Sequence, residues 1–169
     1  MANYNDERFP TEKDGYILSP WYMQNKYQVI EILEDTLTPE EYKGFSIGMV
    51  LKYIARADKC AQLEDYKKAQ YYLDNIIMYM SKTEKIDEKR TKPNHYKGGK
   101  KIETIDWIED QLSPEAYLGW AKGLIIKYLC RYSHKNGLED LVKAQYYMNK
   151  FIEKYSNRMK KNEAQTIKD

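Results

Sequence analysis

Residues 30–80 repeat as residues 105–155 at a constant offset of 75 with no gap, and 21 of the 51 pairs are identical. The identities fall in three blocks. Glu34-Asp35-x-Leu37-x-Pro39-Glu40-x-Tyr42-x-Gly44 returns as Glu109-Asp110-x-Leu112-x-Pro114-Glu115-x-Tyr117-x-Gly119. Gly48-x-x-x-Lys52-Tyr53-x-x-Arg56 returns as Gly123-x-x-x-Lys127-Tyr128-x-x-Arg131. Leu63-Glu64-Asp65-x-x-Lys68-Ala69-Gln70-Tyr71-Tyr72 returns as Leu138-Glu139-Asp140-x-x-Lys143-Ala144-Gln145-Tyr146-Tyr147. A preserved register of this kind marks a duplication, so the chain must be built twice from one small unit. The reading divides it into an arm at 1–18, a first repeat at 19–80, a polar linker at 81–93, a second repeat at 94–156 and a frayed tail at 157–169.

Each copy predicts three helices. Apolar residues at Val29, Ile30 and Leu33 give the first, from Tyr27 to Leu37. Thr38-Pro39-Glu40-Glu41 is a start signal, with an N-cap hydroxyl, proline at the first helical position and acids in the first turn. Ser113-Pro114-Glu115 repeats it, with Ala116 in place of the third acid. Tyr42, Phe45, Met49, Tyr53 and Ile54, and then Tyr117, Trp120, Leu124, Tyr128 and Leu129, keep a three-to-four spacing. The third helices open on Glu64 and Glu139 and run to about Met80 and Tyr155. No stretch alternates as a strand does. The expected fold is all-α, two three-helix repeats packed as a pseudo-two-fold bundle.

Composition narrows the classes. The 28 Lys+Arg and 26 Asp+Glu leave a net charge of +2, so no strong field argues for nucleic acid or a membrane surface. A mean hydropathy of −0.84 excludes a membrane-spanning chain. The first ten residues carry no secretory signal, and Cys60 and Cys130 lack metal-ligand spacing, which together predict a cytoplasmic protein with free thiols. Seventeen tyrosines stand against three Phe and three Trp. Much of that excess is the duplication counted twice.

Two features of the second helices carry chemistry. Gly44 and Gly48, and again Gly119 and Gly123, lie four apart in a helix, where each glycine costs about 1 kcal/mol relative to alanine. Either another helix packs closely there, across the two copies or between molecules, or a ligand lies on the glycine face. One turn on, Lys52 and Arg56, and Lys127 and Arg131, share a face without an acid at matching spacing. Asp65 and Asp140 are their natural partners in a salt-bridged turn; the alternative is a phosphate cluster. No GxxxxGK[ST] loop, zinc spacing or GxSxG nucleophile occurs.

The second copy also has Asn94-His95-Tyr96, Ile102-Glu103-x-Ile105-Asp106 and Lys135 four residues after Arg131. With Glu139-Asp140-Leu141-x-Lys143-Ala144-x-x-Tyr147, these blocks resemble the SaV-like phage domain family, whose characterised relative is a podovirus nucleotide kinase acting on deoxynucleoside monophosphates. The resemblance implies a nucleotide site in which His95, Tyr96, Lys127, Tyr128, Arg131 and Lys135 bind the nucleotide and its phosphates. Glu103, Asp106 and Asp140 would be its catalytic carboxylates, with ATP and magnesium as the implied cofactors. Lys52, Arg56 and Asp65 correspond in the first copy, which carries only the later two blocks and has Cys60 in place of Lys135.

Four classes follow. The first is monophosphate kinase-like phosphoryl transfer in an infected bacterial host. The second is non-catalytic sequestration of a nucleotide or cyclic-nucleotide signal as an anti-defence device. The third is an all-α pyrophosphatase, which needs a Glu-x-x-Asp that the third helices lack. The fourth is a protein–protein inhibitor. Self-association through the glycine faces makes a homo-oligomer the expected state.

Overall fold

The computed structural model describes residues 26–59, 62–86 and 103–166. Its helices are α1 (Val29–Thr36), α2 (Pro39–Ala57), α3 (Gln62–Ser81), α4 (Thr104–Gln111), α5 (Pro114–Arg131) and α6 (Leu138–Thr166). A 3-10 turn at Tyr132–His134 joins α5 to α6, and the described residues contain no strand. The all-α, three-helix reading of each repeat holds. Two compact units divide the chain, Met1–Ile76 and Ile77–Asp169.

Local chemistry explains the helix starts. The Thr38 side chain accepts from the Glu41 amide at 3.4 Å, while the Thr38 amide donates to Glu41 Oε2 at 2.9 Å, which completes a capping box. Ser113 Oγ accepts from the Ala116 amide at 3.2 Å, and the reciprocal half is missing because position 116 carries no acid. α1 has a box of its own, in which the Gln28 amide donates to Glu31 Oε2 at 2.8 Å.

In the first unit Tyr42, Ser46, Val50 and Ile54 of α2 are buried, as are Tyr66, Ala69, Leu73 and Ile76 of α3. In the second unit the buried rows are Tyr117, Ala121, Ile125 and Leu129 of α5 and Leu141, Ala144, Met148 and Phe151 of α6. The rows correspond position for position at the offset of 75, yet only Tyr42/Tyr117 and Ala69/Ala144 keep the same residue. Ring and aliphatic volume are exchanged between sites, as Tyr66 becomes Leu141 while Ile76 becomes Phe151. Cores tolerate such exchange when total volume is kept.

The tail departs from expectation. α6 continues to Thr166, eleven residues past the expected end at Tyr155. In the extension Arg158 Nη2 lies 2.6 Å from Glu115 Oε1 of α5, and just before it Lys154 pairs with Glu109 of α4 and Phe151 stacks on Tyr155. A groove of about 740 Å³ runs beside these pairs, lined among others by Lys150, Glu153 and Lys161. None of the expected site residues lines it.

Candidate functional site

α2 and α5 each pass from the glycine pair to a lysine and then an arginine, and the structure assigns different work to the two cations. Arg56 Nε and Nη2 donate to Asp65 Oδ2 and Oδ1 at 2.7 and 2.5 Å. Arg131 makes the same side-on pair with Asp140, at 2.8 and 2.6 Å. Both aspartate side chains are fully buried, and Asn136 Nδ2 donates to Asp140 Oδ1 at 3.1 Å as well. The bidentate hydrogen bonds from Arg56 hold the Asp65 carboxyl below the usual carboxylate range. For Asp140 burial pushes upward, but the hydrogen bonds from Arg131 and Asn136 and the nearby cations outweigh it, so its pKa also lies below the usual range. The salt-bridged turn is therefore real in both units. Asp140, expected as a catalytic carboxylate, holds the turn between the second and third helices.

Lys52 and Lys127 are exposed, and among the described residues neither makes an ion pair. Their ammonium groups lie 5.2 and 5.4 Å from the ring centroids of Tyr53 and Tyr128. The same rings carry the guanidinium groups of Arg56 and Arg131, at 5.1 and 4.9 Å. Beneath them runs an aromatic ladder. Tyr53 stacks on Tyr72 at 5.8 Å, and Phe45 meets Tyr72 edge-on at 6.0 Å. Tyr128 stacks on Tyr147 at 5.9 Å, and Trp120 meets Tyr147 edge-on at 5.7 Å. Sequence reasoning missed Tyr72 and Tyr147 as members of the cluster, although their identity in both copies was a signal.

Gly44, Gly48, Gly119 and Gly123 are all exposed, and among the described residues nothing lies within 4 Å of a Cβ built on any of them. Within each unit no described residue packs closely on the glycines. The glycine face is open, and Lys52 or Lys127 stands at its end.

The remaining candidates scatter. Glu103 is the N-cap residue of α4 and Asp106 lies in its first turn, both exposed. Burial first, and then the negative charge of these two residues, raises the pKa of Tyr146, the neighbour of Tyr147 in the ladder. Lys135 is exposed in the turn before α6. His95, Tyr96 and Cys60 lie outside the described residues, and Cys130 is a free, exposed thiol. Among the described residues no group of three or more His, Cys, Asp or Glu side chains is placed to hold a metal ion. No helix described is long and apolar enough to cross a membrane.

A family model matches the chain twice, over residues 19–74 and 90–149, which takes in both clusters. The chain belongs to the DUF3310 family. DUF3310 is a phage-type domain described as a protein of unknown function, and its two matches coincide with the two repeats. The first repeat, which lacks the His-Gly-Gly region of the second, is thus a DUF3310 domain in its own right. No curated protein and no solved structure matches the chain.

Proposed function

We propose that this chain is a phage nucleotide-binding protein that takes a nucleoside phosphate on the open face of α5 and sequesters it. One observation carries the reading. Between α2 and α5 three of the four matched buried positions have drifted, Ser46 to Ala121, Val50 to Ile125 and Ile54 to Leu129, with Tyr42/Tyr117 kept, while the exposed Gly44/Gly119, Gly48/Gly123 and Lys52/Lys127 are all unchanged. A helix kept only for packing retains its core and lets its surface vary. Retaining two helix-weakening glycines and an exposed lysine on an open surface fits a face that meets a ligand.

In this reading the glycines let a flat body approach the helix backbone, Lys127 neutralises phosphate, and Lys135 adds charge from the adjoining turn. Tyr128 is buried against Tyr147 and supports the cations from below, leaving Tyr96 as the candidate to stack on a base. Sequestration is favoured over phosphoryl transfer because Asp140 is committed to Arg131 and Asn136. Binding without turnover suits a protein that removes a nucleotide signal from the host cytoplasm.

The test incubates the full chain with mixed nucleotides, ATP and magnesium, then identifies everything retained and everything released. Retained, unchanged nucleotide is the expected result. Conversion to diphosphates assigns the chain to kinase-like transfer instead. No retention at millimolar concentration overturns the nucleotide reading.

A further inference from the structure

We infer that the first repeat holds a second ligand site, so that one chain binds two nucleoside phosphates, one on α2 and one on α5. This rests on the nucleotide reading above and extends it to a place where the sequence argued against a working site, through Cys60 at the position of Lys135 and the absent His-Gly-Gly segment.

The geometry of the two clusters agrees in its main contacts. Each has a side-on Arg–Asp pair with all distances between 2.5 and 2.8 Å and the carboxylate fully buried. Each has a lysine 5.2 or 5.4 Å from a tyrosine ring, itself stacked at 5.8 or 5.9 Å on a second tyrosine. Each has an edge-on aromatic, Phe45 or Trp120, on that second ring. In both, the lysine is exposed, makes no ion pair among the described residues, and follows two glycines with open space over them.

A degenerate copy relieved of its ligand would be free to replace Gly44 and Gly48, since the glycines weaken α2. The surrounding helix has in fact been rewritten: Ile47, Met49 and Leu51 stand where the second copy has Lys122, Leu124 and Ile126. What survived is the face, not the helix. An anionic group with a flat apolar body fits both faces for the same reasons: an accessible backbone to lie on and a cation already positioned by its tyrosine.

Stoichiometry tests the inference. Native mass spectrometry and calorimetry of the full chain would be run with the nucleotide retained in the mixed-pool experiment. The wild-type chain, Lys52→Ala, Lys127→Ala and the double variant would be compared, with circular dichroism as the folding check. Two nucleotides per wild-type chain, one in each single variant and none in the double variant is the expected pattern, with affinity at the altered face falling at least about tenfold. A single nucleotide per wild-type chain overturns the second site and leaves the nucleotide reading standing. Two nucleotides that persist unchanged in Lys52→Ala also overturn it, because the extra ligand then sits elsewhere. Retention of none overturns the nucleotide reading and this inference with it.

Discussion

Gln62 and Gly137 occupy the same position of the two repeats, and both hold the backbone at positive φ, 37° and 50°. They are the residues that turn the chain into the third helix, immediately before Leu63 and Leu138. A left-handed conformation costs an ordinary side chain about 1–2 kcal/mol and glycine almost nothing, although glycine loses more entropy on folding. Gln62→Gly is therefore expected to hold or raise stability by up to about 1 kcal/mol. Gly137→Ala is expected to lower it by about 1 kcal/mol, and the added Cβ would lie 3.3 Å from Glu84 Oε2. Urea denaturation of both variants measures this, and an unchanged Gly137→Ala would mean that the turn relaxes.

The open glycines set stability against binding. Gly48→Ala and Gly123→Ala place a methyl group where nothing described lies within 4 Å, so each should stabilise its helix by about 1 kcal/mol. If a ligand lies on that face, the same changes weaken its binding. Thermal melts and nucleotide titrations on the same samples would show opposite signs. Improved melting with unaltered affinity would remove the glycines from the site.

Ser46 Oγ is fully buried with no hydrogen-bond partner among the described residues, and the second repeat has Ala121 there. Ser46→Ala removes a desolvated hydroxyl and should raise stability by about 1 kcal/mol in chemical denaturation. A loss of similar size would reveal a partner for the hydroxyl.

Arg131 answers a buried carboxylate, and removing it strands that charge. Arg131→Ala should cost about 2–3 kcal/mol, below the full figure for a buried pair because the arginine side chain is itself 29% exposed. Lys127→Ala, four residues away on the exposed face, should leave the melting temperature nearly unchanged. Comparing the two melts separates the cation that holds the fold from the one assigned to the ligand.

Acid stability follows from the same pairs. Asp65 and Asp140 have folded-state pKa values below the ordinary carboxylate range. Each therefore binds its proton more readily when unfolded, and its stabilisation is present in full above an unfolded pKa of about 4. The contribution falls away as pH drops from there through the lower folded values. A urea midpoint flat from neutral pH to about 5 and declining below about 4 is expected, with a shallower decline in Asp140→Asn. An equal decline in that variant would place the acid sensitivity in other carboxylates.

Much of the architecture was legible because it is local. The Thr38-Pro39 and Ser113-Pro114 starts, the core rows three and four residues apart, and the Arg–Asp partnership nine residues apart are all set by helix geometry along one stretch of chain. Identity between the copies supplied the register. The lysine and the arginine of each helix could not be separated this way, since both simply stand on one face at i,i+4.

Tertiary structure alone decided which cation is committed and which is open. It also decided that no described residue covers the glycines, that Arg158 beyond the expected end of α6 meets Glu115, and that Gln62 must adopt a glycine's backbone. Each of these depends on what approaches a residue from another element, and that is a property of packing that no periodicity along the chain encodes. The sequence by itself determined two helical copies of one unit; the packing determined that no described residue of either unit covers the matching glycine face.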